Sequence, residues 1–192
     1  YPAQNPRISS GLGVIPRVVA NGRGIYRGKI TRDEADERIE AVWKPYHAKL
    51  QELMASAQAH FGEAVLLDFH SMPHEALDTV CRPGGRRPEV VLGDRFGAAA
   101  ASRIVEDLDT AFSAAGLTVS RNAPFAGAYV AQHYGRPHRG RHVVQIEIDR
   151  ALYMNERQVR PNENFEAVRG ILTDVLAHMT GASGPRMPLA AE

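Results

Sequence analysis

The stretch VLLDFHSMP, residues 65–73, starts as a short apolar run of strand type and ends by presenting Asp68, His70 and Ser71. Packing gives a buried strand no reason to finish this way, whereas ligands of α/β sheets bind beyond the carboxyl ends of the strands. Asp68 and His70 lie two apart, so on a strand their side chains share a face. A carboxylate that fixes the tautomer of an imidazole is the usual setting of a metal-bound histidine. The alternative is a strand-end histidine satisfying a local hydrogen bond. One histidine is not a zinc site, which takes about three protein ligands. Ser71 is rejected as a nucleophile, because neighbouring residues on a strand face opposite ways and no G-x-S-x-G elbow is present.

The rest of the chain alternates strands with helices. Residues 1–30, rich in Gly, Pro, Asn and Ser, read as an extended loop in which only 13–20 is apolar enough to pack. Thr31 and Glu34 form a capping box, and Ile39, Val42, Tyr46, Leu50 and Leu53 mark one helical face. Pro45 is expected to kink or divide that helix, and Gly62 to end it. Strands are expected at 64–69, 89–93, 117–121 and 142–148, with helices at 98–115 (Gly116 as its C′ residue) and near 163–180. Residues 74–88 and 122–141 read as loops, and 182–192 as a frayed tail. The expected architecture is α/β, three layers around a mixed, largely parallel sheet, in a single domain spanning 1–192.

Each strand ends on charged or polar groups: Asp94 and Arg95, Arg121 and Asn122, Asp149 and Arg150. In a parallel sheet these would meet at one edge. Glu147 lies within its strand and shares a face with Gln145. A buried carboxylate is costly unless paired or functional. It is therefore either solvated or paired with Arg121 or Arg150, or it is a general base for an activated water. The loop at 129–142 carries His133, Tyr134, Arg136, His138, Arg139, Arg141 and His142, and is either a solvated charge run or a binding loop. Arg95, flanked by Gly93 and Gly97, is placed as an anchor for a carboxylate, which arginine grips through paired N–H donors.

The totals restrict the partners. Lys and Arg number 23 against 22 Asp and Glu, giving a net charge of +1. No global field recruits nucleic acid or an anionic membrane. The single cysteine, Cys81, excludes an internal disulfide and fits a reducing, cytoplasmic compartment. No apolar run approaches the roughly 20 residues of a membrane span. The start YPAQNPRISS has the character of neither a signal peptide nor an initiator segment, so the chain is expected to begin part-way into a longer protein.

Taken in order, LLDFHSMP, VLGDRFG, NAPFAGAYVAQHYGRP and VVQIEIDRALYMNE resemble the N-formylglutamate amidohydrolases (N-formylglutamate deformylases) over roughly residues 7–175. The segment YRGKITRDEADERIEAVWKPYHAKL is similar to the helix preceding the HS motif of that family. The resemblance implies a zinc hydrolase related to the zinc carboxypeptidases, with a phosphorylase/hydrolase-like fold. It would cleave the N-formyl amide of N-formyl-L-glutamate to glutamate and formate in histidine degradation. His70 would be a ligand of one zinc ion, with Asp68 supporting it, and Glu147 the general acid/base. Arg95, Arg136, His133 and Tyr134 would bind the small anionic substrate. The family's P-H-S-G and D-x-N-R motifs, which carry its other zinc ligands and a further arginine, have no counterpart here. N-terminal strands and the remaining ligands are thus expected upstream of Tyr1, and the 192 residues alone are expected to be short of a complete catalytic site. Two alternatives are an amidohydrolase for another N-acyl amino acid or small peptide, and a non-catalytic dicarboxylate-binding remnant.

Overall fold

A computed structural model describes residues 6–19, 22–78 and 86–181, so the expected tail at 182–192 and most of the Gly/Arg/Pro loop, Cys81 included, lie outside the described residues. The chain divides into two compact units, Tyr1–Leu53 and Met54–Glu192.

In the first unit a single helical turn, α1 (Pro6–Ser9), precedes a bridge between Val18 and Gly24, all that forms of the expected short strand. Helix α2 (Arg32–Arg38) starts where the cap predicts, with Thr31 Oγ1 accepting from the Glu34 N–H at 3.1 Å. The box closes only by half, because the Glu34 carboxylate pairs with Arg38 one turn later at 2.6 Å. A π-helical turn, Ile39–Trp43, joins α2 to α3 (Lys44–Phe61). The division thus falls just ahead of Pro45. The wider turn accommodates a residue that has no N–H to give the ladder. The apolar stripe is a surface feature: Val42, Tyr46 and Leu53 are 68%, 52% and 55% exposed, and on α3 only Met54 is buried. Spacing identifies an apolar face but not what covers it.

The second unit holds the sheet. Its strands β1 (Ala64–Met72), β2 (Val90–Gly93), β3 (Val119–Arg121) and β4 (Arg141–Asp149) run in the order β1-β4-β2-β3. β1 is parallel to β4 and β2 to β3, while β2 is antiparallel to β4. The sheet is mixed, as expected. The convergence of all four carboxyl ends is overturned: β2 and β3 deliver Arg95 and Arg121 to the edge opposite that of Asp149. β4 is central and buried from His142 to Asp149, which explains why its outward alternation is not solvated.

Helices α4 (Ser102–Ala114) and α6 (Phe165–Met179) cover one face of the sheet. There Ile104, Val105, Leu108, Phe112 and Val175 pack on Val90, Leu92, Val144, Ile146 and Ile148. Full burial of such side chains is worth about 1.5–3 kcal/mol each. Gly116, at φ +87°, ends α4 as predicted. The expected loop at 122–141 contains helix α5 (Tyr129–Tyr134) and a 3₁₀ turn, Pro137–Arg139. A two-residue ladder, β5 (Met154–Asn155) with β6 (Arg160–Pro161), precedes α6.

On the other face Met72, Leu77 and Val91 form a small core with Phe125 against it. The 3₁₀ turn His74–Leu77 and the chain around Phe125 therefore fold over this side. That approach requires Gly93, where a Cβ would lie 2.6 Å from Gly127 N and 2.9 Å from Phe125 O. Gly93→Ala should cost about 1–3 kcal/mol through this backbone clash, read as a lowered midpoint of urea unfolding; an unchanged midpoint would contradict the packing described.

Candidate active site

The face beneath that chain segment gathers the polar residues. The parallel register places Asp68 beside Gln145 and His70 beside Glu147, while the antiparallel register of β2 sets Val91 against Glu147 from the other side. With side chains alternating along each strand, Asp68, His70, Gln145, Glu147 and Asp149 all fall on this face. Gln145 and Glu147 are 4% and 9% exposed. The Gln145 amide donates to Glu147 Oε1 at 2.9 Å, and its carbonyl accepts from the Ala128 N–H at 2.7 Å. One side chain thus orients the carboxylate and pins the chain that leads into α5.

Burial lifts the Glu147 carboxyl above the ordinary glutamate range, opposed by the His70 charge and the Gln145 hydrogen bond. His70 is raised as well, chiefly by the Asp68 carboxylate, with burial opposing. His70 Nε2 stands 3.1 Å from Asp68 Oδ2. The two are not in line for a hydrogen bond, and that buried oxygen has no hydrogen-bond partner. Glu147 and His70 face one another with the properties a proton-transfer site needs: a carboxyl poised above its usual range, a half-exposed imidazole, and a covering chain that limits water.

An imidazole and an orphaned carboxylate oxygen are donors of the right kind for zinc. Their number falls short, since among the described residues no group of three or more His, Cys, Asp and Glu side chains is arranged to hold a metal. These residues do not complete a metal site by themselves, and no chemical step below is routed through one.

The other expected site residues are dispersed. Arg95, Phe96 and Asn122 adopt the left-handed conformation at φ 57°, 55° and 60°, a cluster of strain that persists only where surroundings enforce it. They are enforced by a clamp. Asn122 Nδ2 donates to Asp94 Oδ1 at 2.6 Å, its Oδ1 accepts from the N–H groups of Asp94 and Phe96, and Asp94 Oδ2 accepts from Gly97. Arg95 is thereby held half-buried next to Gly127, where a Cβ would lie 3.2 Å from its Cγ, one residue from the Ala128 N–H that Gln145 holds. Arg136 lies beside the first residue of β4, bridging to Arg141, roughly 20 Å along the strand from Glu147. Its guanidinium donates to the carbonyls of Gln132 and Gly135 at the end of α5. His133 stacks on Tyr129 at 5.1 Å and meets buried Tyr134 edge-on at 4.7 Å. The structure thus joins Asp68, His70, Gln145 and Glu147, brings Arg95 to their border, and leaves His133 and Tyr134 on α5 with Arg136 just beyond its end. Arg121 is bound to Asp109 of α4 at 2.7 Å.

Two features escaped the reading of the sequence. Arg150 donates to Ser71 Oγ and to the Ser71 carbonyl, both at 3.1 Å, locking the end of β1 to β4. His74 pairs with buried Asp149 at 2.7 Å. Both partners are 75 or more residues apart in sequence, and only the β1–β4 register identifies them.

A sequence model of the N-formylglutamate amidohydrolases matches residues 2–154. The chain is 32% identical over 174 residues to the N-formylglutamate deformylase of Pseudomonas aeruginosa, covering 85% of itself and 62% of that protein. It is 29% identical over 153 residues to that of Pseudomonas putida, covering 76% and 55%. The crystal structure of N-formylglutamate amidohydrolase from Ralstonia eutropha JMP134 superposes with a TM-score of 0.81 at 32% identity, over 92% of this chain and 62% of that one. The fold and sequence together define an α/β protein of amidohydrolase descent. The chain belongs to the N-formylglutamate amidohydrolase family, and it spans about 62% of the length of the Pseudomonas aeruginosa relative. Among the described residues no helix is long and apolar enough to cross a membrane.

Because burial disfavours the Glu147 carboxylate, the group should keep its proton to a higher pH than an ordinary glutamate. Removing the neighbouring cation in His70→Ala should raise the midpoint further. Carbon-13 NMR titration of the Glu147 carboxyl checks both; an ordinary midpoint in the wild-type chain would contradict the site described.

Proposed function

We propose that this protein hydrolyses the N-formyl amide of N-formyl-L-glutamate, releasing glutamate and formate. The observation that carries the reading is the buried Glu147, oriented by Gln145 and facing His70 across adjacent parallel strands. Glu147 takes a proton from water as its oxygen attacks the formyl carbon. Its raised pKa makes it a stronger base for that proton than an ordinary glutamate. Arg95, held at the border of the site by the Asp94–Asn122 clamp, binds a substrate carboxylate. His70 is the zinc donor this chain supplies, and Asp68 supports it. Zinc held there with further donors would supply Lewis-acid polarisation of a carbonyl and a more acidic water. The setting proposed is histidine degradation in the cytoplasm.

A second reading, a dicarboxylate-binding module without turnover, is favoured by the shortage of metal donors among the described residues. Formate release from N-formyl-L-glutamate, measured with and without added zinc, separates the two: binding without release would support the module. In an active protein, Glu147→Gln should lower kcat by about 10²–10⁴-fold with KM little changed; near-normal turnover would refute the assignment. The 192-residue chain should hold zinc weakly, well under one ion per chain after dialysis, because a catalytic zinc site takes about three protein ligands. Elemental analysis finding stoichiometric zinc, retained in His70→Ala, would remove His70 from the site.

A further inference from the structure

His74 occupies a position built with more care than a surface histidine needs. Pro73 precedes it, its N–H donates to Glu156 Oε1 at 2.9 Å, and its carbonyl accepts from Arg87 at 2.7 Å. Its ring Nδ1 is 2.7 Å from Asp149 Oδ2, while Asp149 Oδ1 accepts from the Ala151 N–H at 3.0 Å. Asp149 is 3% exposed, and the His74 side chain is 49% exposed. A buried carboxylate thus fixes the imidazole, leaving Nε2 turned away from it as the free ring nitrogen. Such a carboxylate–imidazole pair recurs in acid–base catalysis. Its location makes it pertinent. Asp149 lies two residues beyond Glu147 on the same face of β4, roughly 7 Å along the strand. The turn that carries His74 is the one whose Leu77 packs on Val91, beside Glu147. The charged groups around His74 are Asp149, Glu156, Arg87 and the adjacent Glu75.

We propose that His74 and Asp149 form a second acid–base group on this face of the sheet, and that His74 protonates the amine as it departs. The proposal rests on the formyl-amide reading and divides its two proton transfers between two residues. Water's oxygen bonds to the formyl carbon while Glu147 takes a water proton. The C–N bond then breaks, its electron pair moves to nitrogen, and the imidazolium gives that nitrogen its Nε2 proton. Afterwards Glu147 loses its proton to solvent and His74 takes one up, which restores both groups.

The test compares His74→Asn and Asp149→Asn with wild type in the full chain. In His74→Asn the new side-chain amide keeps a donor for Asp149 while Nε2 is removed, so that the buried carboxylate is not stranded. Two substrates are used: N-formyl-L-glutamate, whose amine leaves only when protonated, and p-nitrophenyl formate, whose phenolate leaves without a proton. Both variants should lose about tenfold or more in kcat on the amide, with KM within about twofold, and at least about tenfold less on the ester. Equal losses on the two substrates would show a merely structural pair and overturn the proposal, as would wild-type kcat on the amide. A wild-type chain that cleaves neither substrate would instead overturn the underlying formyl-amide reading.

Discussion

The structure depends on the double burial of β4. A central strand covered on both faces normally carries a continuous apolar run, because an unpaired carboxylate in that setting is costly. β4 instead places Gln145, Glu147 and Asp149 on one buried face, and each is given a partner: the Ala128 N–H, the Gln145 amide, and His74 with the Ala151 N–H. Meeting those demands draws in the chain before α5 and the turn after β1. The same contacts that satisfy the buried groups therefore border the site on two sides.

The apolar half of the sheet makes this possible. Val144, Ile146 and Ile148 alternate with the polar residues and are locked by α4 and α6, so the register cannot slip by one residue without exchanging the two sets. On the polar side, Gly93 admits the chain at Phe125–Gly127, and the Asp94–Asn122 clamp holds Arg95 in a strained conformation that packing alone would not select. Rigid support on one face and close backbone approach on the other set the geometry between Glu147 and His70.

Much of this is legible in the sequence. A short apolar run marks β1, period-two alternation marks β4, turn residues such as Gly116 mark helix ends, and the polar ending of VLLDFHSMP marks His70 and Asp68. Quoted motifs carried the family. Strand direction was not legible: the reversal of β2 and β3 depends on how strands pair, and it moved Arg95 and Arg121 to the other edge of the sheet. The helical stripe of Val42, Tyr46 and Leu53 is legible as an apolar face, yet periodicity is silent about what covers it. The pairing of His74 with Asp149 follows from two strands aligned across 75 residues of sequence, which no local pattern encodes.

On the proposed function, substrate binds at the face shared by β1 and β4. Titration of N-formyl-L-glutamate into nitrogen-15-labelled protein, followed by amide chemical shifts, tests it most directly. Perturbations concentrated at 68–72, at 145–149 and around Ala128 are predicted. Perturbations confined to α5, or none at saturating ligand, would contradict the account.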